Sequence, residues 1–576
     1  MKTEARRSRK ASAPHKYIFV IGGVMSGVGK GIATSSIGTI LSAKGLAVNL
    51  VKVDPYLNVD AGTMNPTEHG EVFVLDSGLE TDQDMGNYER FLNRDLTGAD
   101  YMTSGMVYKA VIDKERALQY GGRFVDADHV REEIVERIER SARLNKSDIT
   151  VVEIGGTIGD YQNVMFIEAA RVLKIRHPRD VTFVLVSYLP VPGSIGEMKS
   201  KPTQNASKQL NAHGVQADFI IARGPHPIDQ KRKEKIAFTC NIIPSHVISA
   251  PDIESVYDVP VNFEKDRLGD LLIQALDMPP RKTSASFGVW KKLAAGIKDG
   301  RRRVVKIGVV GKYFNTGDFI LSDSYLSVLQ AVRYSAYALG VKAEIETVNA
   351  RDFEAAAPDF SALDAFDGII VPGGFGSSGI DGKLAVIRHA RERGIPYFGL
   401  CYGMQLMTVE YARDVLGLAG AHTTEIDPNA PHPVIDVMPD QKEKIARGDM
   451  GGTMRLGAYP ARLMKGTIAQ DAYSCFDGKR LPKPTVSIRE RHRHRYEVNP
   501  KYVERLERAG LVFSGRSPDG TLMEIAELPR DKHPFFLGTQ FHPEFLARPL
   551  MPHPLFNAFV EAAKDRELAR AKQASK

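Results

Sequence analysis

Apolar residues occur in short uninterrupted runs that alternate with longer stretches of helical periodicity. The first run, 17–21, leads through a glycine-rich stretch into a helix-like segment that ends near Lys44. Further apolar runs predict strands at 47–53, 149–154, 181–186 and 219–222. Continuous apolar runs are typical of strands buried on both faces, and strands that alternate with helices form parallel sheets. The first half is therefore predicted to be a doubly wound α/β domain.

This pattern breaks near 278–281, where polar and basic sequence continues to Arg301. New apolar runs at 304–310, 368–371 and 396–400 then predict a second doubly wound α/β domain. The predicted organisation is a disordered basic tail (1–15), a first domain (16–280), a linker (281–302), a second domain (303–562) and a charged tail (563–576).

Composition narrows the possible classes of protein. The 576 residues are 43% hydrophobic and 26% charged, and no apolar run reaches the ~18 residues that a bilayer span needs, so no membrane partner is expected. Three cysteines cannot build a disulfide framework, which indicates a reducing, cytoplasmic compartment. The net charge of +7 is scattered along the chain, so no nucleic-acid partner is expected.

A candidate nucleophile lies in Gly399-Leu400-Cys401-Tyr402-Gly403, between a predicted strand and a helix-like segment. Small neighbours on both sides suit a tight, strained turn that presents its central side chain. The turn places Cys401 at a helix amino terminus, where the local field favours a thiolate.

A base for this thiol is available in Gln540-Phe541-His542-Pro543-Glu544, where His542 and Glu544 can lie on one side of an extended segment. The loop Pro372-Gly373-Gly374-Phe375-Gly376 supplies backbone N–H groups for an oxyanion. Along the chain the motifs come in the order Pro-Gly-Gly loop, Gly-x-Cys-x-Gly and His-x-Glu, and in this order they resemble the class I glutamine amidotransferases. The resemblance implies that Cys401 forms a glutamyl thioester, His542 moves the proton and Glu544 orients His542. It also implies that the Gly374 and Tyr402 amides hold the oxyanion.

A second candidate site is the glycine-rich loop 22–31, which lies between the first strand and the first helix. Free N–H groups and the helix dipole suit phosphates there, and Lys30 suits the outer phosphates. The predicted ATP contacts are Gly27, Val28, Gly29, Lys30, Gly31, Lys52 and Asp84. The loop departs from the usual P-loop because Gly31 replaces the metal-binding Ser or Thr. Magnesium therefore needs other oxygens, and Asp84 and Glu153 are the candidates.

Longer motifs resemble the CTP synthase family. They are Gly-Lys-Gly at 29–31, the runs 52–60, 62–66, 69–74, 88–91 and 199–204, and the run 491–499. The resemblance covers roughly residues 16–560. It implies an amino-terminal P-loop-like amidoligase domain and a carboxy-terminal class I glutamine amidotransferase domain.

The family's reaction is the expected function. ATP phosphorylates O4 of UTP, and ammonia from glutamine displaces the phosphate at C4 to give CTP, ADP, phosphate and glutamate. The resemblance implies that UTP or CTP contacts Ser26, Asp160, Gln162, Lys199, Lys201, Gln204 and Lys235. It implies that glutamine contacts Gly374, Tyr402, Gly403, Met404, Gln405, Glu425 and Arg495. It further implies Mg²⁺ with ATP, GTP as allosteric activator, CTP as feedback inhibitor, and a homotetramer that can form filaments.

Several positions depart from the family pattern. Tyr402 stands where leucine is usual, and Gln162 stands where the family places an acidic residue for the inhibitory CTP. An insertion-like segment, 314–321, lies near the expected GTP site. The strength of regulation is therefore left open by the sequence.

Two alternatives compete with this interpretation. A cobyrate-synthase-like amidotransferase would amidate a carboxylate, but the runs 199–204 and 52–60 argue against it. A filament-forming relative without catalysis would not need to retain Cys401, His542, Glu544 and Lys30 together.

Overall fold

A computed structural model describes residues 14–193, 196–298, 300, 302–311, 322–355, 358–374, 379–438, 441, 452–476 and 479–574. Most of the predicted basic tail and the whole segment 314–321 lie outside the described residues, as do Phe375 and Gly376 of the Pro-Gly-Gly loop.

The strands, in chain order, fall into two series. The first is β1 (Lys16–Gly22), β2 (Val48–Asp54), β3 (Phe73–Val74), β4 (Glu80–Thr81), β5 (Tyr101–Thr103), β6 (Ile149–Ile154), β7 (Val181–Tyr188), β8 (Phe219–Gly224) and β9 (Val247–Pro251). The second is β10 (Val304–Gly311), β11 (Lys342–Asn349), β12 (Gly368–Val371), β13 (Tyr397–Leu400), β14 (Ala421–Thr423), β15 (His432–Val437), β16 (Arg455–Leu463), β17 (Cys475–Phe476), β18 (Lys479–Arg480), β19 (Ser487–His494), β20 (Tyr496–Val498), β21 (Val512–Arg516), β22 (Met523–Leu528) and β23 (Phe536–Thr539).

The helices of the first series are α1 (Lys30–Ala43), α2 (Pro66–His69), α3 (Gln83–Leu92), α4 (Ser104–Arg116), α5 (Ala127–Asn145), α6 (Val164–Arg176), α7 (Lys201–Ala212), α8 (Gln230–Cys240), α9 (Val259–Phe263), α10 (Leu268–Ala275) and α11 (Ala285–Ile297). Those that follow are α12 (Leu326–Ala338), α13 (Ser361–Asp364), α14 (Ile380–Arg393), α15 (Tyr402–Asp414), α16 (Ile468–Tyr473), α17 (Pro500–Arg508) and α18 (Pro554–Ala574). None of the helices in the described part of the chain has the length and apolar character needed to cross a bilayer.

Two compact units are present. The first contains the chain up to Val59 together with Ala99–Ala294, and the second contains Asp60–Gly98 together with the chain from Ala295 onward. The first half of the sequence therefore contributes a segment of 39 residues, 60–98, to the second unit. The apolar pattern predicted one change of domain near 281–302, and it carried no signal for this exchange because domain membership is set by long-range packing.

The first unit is built on a seven-stranded sheet in the order β5-β2-β6-β1-β7-β8-β9, and the register pairs are parallel throughout. Every residue of β1, β2 and β6 is buried, as the continuous apolar runs predicted. The doubly wound α/β prediction is confirmed. The carboxyl ends of β1, β2 and β6 meet at one edge of the sheet, where open sheets bind ligands.

The second unit has a nine-stranded sheet in the order β11-β10-β12-β13-β23-β22-β21-β16-β19. The first five strands are parallel, and the last four continue the sheet in antiparallel fashion. The α/β class is confirmed, whereas the antiparallel extension was not predicted. The extension matters because β19 carries Arg491 and Arg493 toward the site described below.

The predicted linker, 281–302, contains the helix α11. Its Phe287, Trp290 and Ala294 are buried, and the Trp290 indole N–H donates to the carbonyl of Tyr257 at 2.8 Å. The polar and basic composition had predicted no element there. A few apolar residues on one helical face are sufficient for the helix to pack, because the remaining face stays in solvent.

Candidate functional site

Cys401 occupies a strained turn between β13 and α15. Its φ is 49°, a left-handed conformation that a residue with a side chain adopts rarely. Gly403 next to it cannot carry a side chain, because a Cβ there would lie 2.1 Å from the carbonyl oxygen of Val371. The backbone N–H of Cys401 donates to the carbonyl of Thr539 at 2.6 Å. The tight turn expected from the glycine pattern is therefore present.

His542 follows β23 and begins a 3-10 turn over Pro543–Leu546 that also holds Glu544. The Nδ1 atom of His542 lies 2.7 Å from Oε1 of Glu544, and both side chains are buried. Burial lowers the pKa of His542, but the Glu544 carboxylate and the Cys401 sulfur outweigh it and raise the pKa to about 10. A protonated imidazole beside a sulfur atom is the arrangement that stabilises a thiolate.

A small cavity of about 70 Å³ is lined by Cys401, His542, Glu544, Gly373 and Gly374 together with residues of the 60–98 segment. One of these is Glu71, whose carboxylate accepts from the Ser327 backbone N–H at 3.1 Å. Burial raises the pKa of Glu71 to about 7, although Arg90 and Ser327 oppose the rise. The Pro-Gly-Gly loop and the predicted triad thus meet in one place.

A larger cavity of about 510 Å³ adjoins the same sulfur. Six of the residues predicted from the resemblance and the triad line it: Gly374, Cys401, Tyr402, Gln405, Glu425 and Arg495. The guanidinium of Arg495 donates to Oε1 of Gln441 at 3.0 Å and to the hydroxyl of Thr453 at 2.9 Å. A carboxylate and a guanidinium on one cavity wall suit the two ends of an amino acid.

Two further residues predicted to bind glutamine, Gly403 and Met404, lie in the first turn of α15. Both are buried, and Met404 packs in the hydrophobic core of the second unit. These two residues therefore lie near Cys401 through their backbone and not through a side chain.

The side chain of Tyr402 is 3% exposed, and the ammonium of Lys383 lies 5.5 Å from the centre of its ring. Its hydroxyl has no hydrogen-bond partner among the described residues. Burial raises the pKa of Tyr402, and the nearby Glu425 carboxylate adds to the rise, so the phenol stays protonated and can act as a donor.

Arg493 on β19 lines both cavities. Its Nε donates to Oε1 of Glu80 at 2.7 Å, and Glu80 is fully buried on β4. No role was predicted for Arg493, Glu80 or Glu71. The same holds for four residues that also line the larger cavity: Gly62, Thr63, Met64 and Pro66. The sequence did contain a signal for these residues, because all of them except Glu80 fall in the motif runs that carried the family resemblance.

In the first unit, the glycine-rich loop joins β1 to α1. Gly27 and Gly29 have φ values of 68° and 80°, and no side chain caps α1 at Gly29. Lys30 begins the helix, and its ammonium donates to the carbonyl of Gly156 at 2.7 Å. The left-handed glycines and the uncapped helix terminus give the backbone geometry of an anion site.

A cavity of about 230 Å³ lies beside this loop and is lined by Gly29, Ile32, Arg223 and Asp252, among others. Arg223 donates to the carbonyl of Val28 at 3.2 Å and to Asp252 at 2.6 Å. The largely apolar walls of this cavity suit a flat, uncharged ring beside the glycine-rich loop.

The predicted metal carboxylates belong to different units. Glu153 is the penultimate residue of β6 and accepts from the ammonium of Lys52 at 3.0 Å, and the ammonium of Lys52 also lies 3.6 Å from Asp54. Asp84 belongs to the second unit, where it lies in the first turn of α3 and its N–H donates to Asp82. No group of three or more His, Cys, Asp or Glu side chains in the described part of the chain is arranged to hold a metal ion by itself.

The predicted UTP residues lie in the first unit. Lys235 lines a cavity of about 280 Å³ with Glu197, Ser200 and Arg232. The ammonium of Lys199 pairs with Glu197 at 2.7 Å. Gln204 donates to the hydroxyl of Ser200 at 3.1 Å, and Asp160 accepts from the Thr157 N–H at 2.6 Å. The other three predicted residues are exposed: Ser26, Gln162 and Lys201.

Comparison with known proteins covers nearly the whole chain. A family model described as CTP synthase N-terminus matches residues 16–278, and one described as Glutamine amidotransferase class-I matches residues 320–562. The chain is 47% identical to a CTP synthase of Thermococcus gammatolerans over 555 residues, which is 96% of this chain and 99% of that protein. It is 47% identical to a CTP synthase of Pyrococcus furiosus over 96% of this chain and 98% of that protein. A solved glutaminase domain of Trypanosoma brucei CTPS with bound acivicin is 37% identical, with 45% of this chain and 94% of that chain covered and a TM-score of 0.40.

Proposed function

Because the chain belongs to the CTP synthase family and is a glutamine-dependent ligase that forms CTP from UTP, we propose that Cys401, His542 and Glu544 carry out its glutamine hydrolysis. The observation that carries this assignment is the 2.7 Å contact between His542 and Glu544. Both side chains line the same cavity as Cys401, which lies in a strained turn. The proposal assigns ammonia production to the glutaminase domain, 303–562, and CTP formation to the amidoligase domain, 16–280.

In the first step, the thiolate of Cys401 attacks the carboxamide carbon of glutamine. The oxyanion accepts hydrogen bonds from the backbone N–H groups of Gly374 and Tyr402. As the C–N bond breaks, His542 transfers its proton to the leaving nitrogen, and Glu544 holds the imidazole in the required orientation. Ammonia leaves, and water hydrolyses the thioester to glutamate with His542 as base.

The amino-acid end of glutamine lies along the wall of the larger cavity. Glu425 binds its ammonium group and Arg495 binds its carboxylate. This assignment is supported by the position of both side chains in one cavity with Cys401. Gln405 lines the same wall, and the family resemblance assigns it to glutamine binding.

ATP binds at the loop that contains Gly27, Val28, Gly29, Lys30 and Gly31. The backbone N–H groups and the helix dipole receive its phosphates, and Lys30 and Lys52 neutralise charge on them. The cavity lined by Ile32 and Arg223 supports this assignment, because it gives the adenine a place next to the loop.

Mg²⁺ accompanies ATP in this proposal. Glu153 and Asp54 present carboxylate oxygens beside Lys52 at the end of the sheet, and oxygen ligands are those that Mg²⁺ prefers. The ion would supply charge neutralisation during phosphoryl transfer. Asp84, the other predicted metal and ATP ligand, belongs to the second unit, and its role stays a prediction.

UTP is phosphorylated on O4 before ammonia displaces the phosphate at C4. A cavity lined by Lys231, Arg232 and Lys235 supports a place for the UTP phosphates, because all three side chains are positively charged. Ser26, Asp160, Gln162, Lys199, Lys201 and Gln204 are assigned to UTP or to inhibitory CTP by the family resemblance alone.

Activation by GTP, feedback inhibition by CTP, and assembly into homotetramers or filaments are proposed on the same family basis. Gln162 leaves the strength of CTP inhibition open. A cytoplasmic location is proposed because all three cysteines are free and Cys401 has to stay reduced to act as a nucleophile.

The decisive experiment supplies UTP, ATP and Mg²⁺ with either glutamine or ammonia and measures CTP. Cys401→Ala is expected to abolish glutamine-driven synthesis while ammonia-driven synthesis continues. Lys30→Met is expected to abolish both and leave the ability of Cys401 to form a thioester. If Cys401→Ala made no CTP from either glutamine or ammonia, the assignment of separate tasks to the two domains would be wrong.

A further inference from the structure

A glutamine side chain outside the triad contacts the nucleophile directly. The Nε2 atom of Gln540 lies 3.7 Å from the sulfur of Cys401, within the range of a hydrogen bond to sulfur. Gln540 is fully buried, and its backbone N–H donates to the carbonyl of Glu524 on β22 at 2.9 Å. The backbone of Gln540 is therefore fixed directly after β23, two residues before His542.

The orientation of the Gln540 amide is set by a second glutamine. Gln405 donates from Nε2 to the carbonyl of Tyr496 at 2.8 Å and to Oε1 of Gln540 at 3.4 Å. Because Oε1 of Gln540 accepts from this donor, its amino group has to face the sulfur of Cys401. The reverse orientation would bring the two donor groups of Gln405 and Gln540 together.

Besides its interaction with His542, the sulfur has polar contacts with Arg493 and Gln540 that favour different protonation states. The carbonyl of Arg493, 3.8 Å away, can accept a hydrogen bond from a thiol but repels a thiolate. The amino group of Gln540 donates to a thiolate more strongly than to a neutral thiol, because hydrogen bonds to charged acceptors are the stronger ones. The acidic, basic and imidazole side chains that line the cavities around the sulfur are Glu71, Glu425, Arg493, His494, Arg495, His542 and Glu544.

We propose that Gln540 is a positioning residue that stabilises the Cys401 thiolate and directs it toward the substrate, with Gln405 linking it to the glutamine-binding wall. This inference rests on the proposed role of Cys401 as the glutaminase nucleophile. His542 supplies the proton for the leaving group, and Gln540 supplies a fixed donor that remains in place through every step. Gln405 touches both Gln540 and the cavity, so the thiolate and the glutamine wall are held by one pair of side chains.

The test compares two variants by the pH dependence of Cys401 alkylation with iodoacetamide. The Cys401 peptide is followed by mass spectrometry, because Cys475 is exposed and would react as well. Gln540→Met fills the same space without a donor and is expected to raise the midpoint of alkylation by about one pH unit. Gln540→Glu keeps the acceptor for Gln405 but replaces the donor with an oxygen, and it is expected to raise the midpoint further. At pH 7 the kcat for glutamine hydrolysis should fall about tenfold in Gln540→Met, with KM changed less than about twofold.

The matched control is Gln470→Met, since Gln470 is also buried and bonded at both ends of its amide but lies on α16. It is expected to leave the midpoint unchanged. Calorimetry of the full chain reports whether the second unit, which contains Gln540, folds in each variant; if Gln540→Met lacks the transition of that unit, Gln540→Glu decides. An unchanged midpoint in a variant that keeps this transition would overturn the inference. If instead Cys401→Ala kept glutamine-driven synthesis, the nucleophile assignment itself would be wrong.

Discussion

The guanidinium of Arg491 and the carboxylate of Glu89 form a bidentate ion pair inside the second unit, with N–O distances of 2.9 and 3.0 Å. Their side chains are 0% and 1% exposed. Glu89 lies on α3 in the 60–98 segment, and Arg491 lies on β19, two residues before Arg493 in the cavity wall. The pair therefore anchors the inserted segment to the strand that lines the glutaminase cavity.

Removing one partner of this pair should destabilise the second unit strongly. Glu89→Ala removes the bidentate partner of a buried guanidinium and leaves it with Asp95 at 2.9 Å and the carbonyl of Val74, so we expect the free energy of unfolding of this unit to fall by about 3 kcal/mol. Calorimetry of the full chain measures the change in the corresponding transition. The control is Asp113→Ala, which breaks the exposed Lys109–Asp113 pair and should change little. Equal effects of the two variants would contradict the anchoring role.

The carboxyl of Glu71 should make stability depend on pH. Its pKa is raised from the ordinary value of 4.5 to about 7, so between these values the folded protein holds a proton that the unfolded chain has released. The contribution of this proton to the stability of the folded state is complete below about pH 4.5 and is lost as the pH rises through 7. Glu71→Gln removes the titration, so the fall in unfolding free energy from pH 5 to pH 8 should be smaller by about 1–3 kcal/mol than in the unmodified protein.

Denaturant unfolding at the two pH values checks this expectation. Glu68→Gln, an exposed substitution on the neighbouring helix α2, is the control and should retain the full pH dependence. A Glu71→Gln variant with an unchanged dependence would show that Glu71 ionises normally.

A methyl group at Gly62 should weaken glutamine binding. A Cβ there would lie 2.1 Å from Oε2 of Glu80, so the carboxylate would have to move away from Arg493, which it now accepts from at 2.7 Å. We expect Gly62→Ala to raise the KM for glutamine about tenfold while ammonia-driven CTP synthesis stays close to normal. Steady-state kinetics with both nitrogen sources measures the difference. Gly288→Ala, at a glycine with open space around it, is the control. Normal KM in Gly62→Ala would mean that the contact between Glu80 and Arg493 does not shape the cavity.

The hydroxyl of Tyr402 should contribute to glutamine affinity. Tyr402 lines the larger cavity, and its buried hydroxyl has no partner among the described residues, so we expect the hydroxyl to turn toward an acceptor on bound glutamine. Tyr402→Phe is expected to raise the KM for glutamine about three- to tenfold with little change in kcat. Tyr402→Leu also removes the ring against which Lys383 lies, and it should lower thermal stability in addition. An unchanged KM in Tyr402→Phe would limit the role of Tyr402 to its backbone.

Local patterns were sufficient to predict the elements that carry the two candidate sites. The loop before α1 and the turn at Cys401 could be recognised because glycine spacing and the change from strand to helix are properties of a few adjacent residues. His542 and Glu544 could be paired for the same reason, since they are two positions apart. The helix α11 was missed because its buried face depends on three residues only.

The sequence by itself determined the α/β class, the glycine-rich loop before α1 and the tight turn at Cys401, because backbone conformation and apolar periodicity are set by neighbours along the chain. Only the tertiary structure decided that residues 60–98 pack in the second unit. It also decided that Glu89 meets Arg491, that Glu80 meets Arg493, and that Gln540 faces Cys401. These pairs are separated by 139 to 413 positions in the chain. Their geometry follows from burying charged and polar groups together, since each would be costly to bury alone.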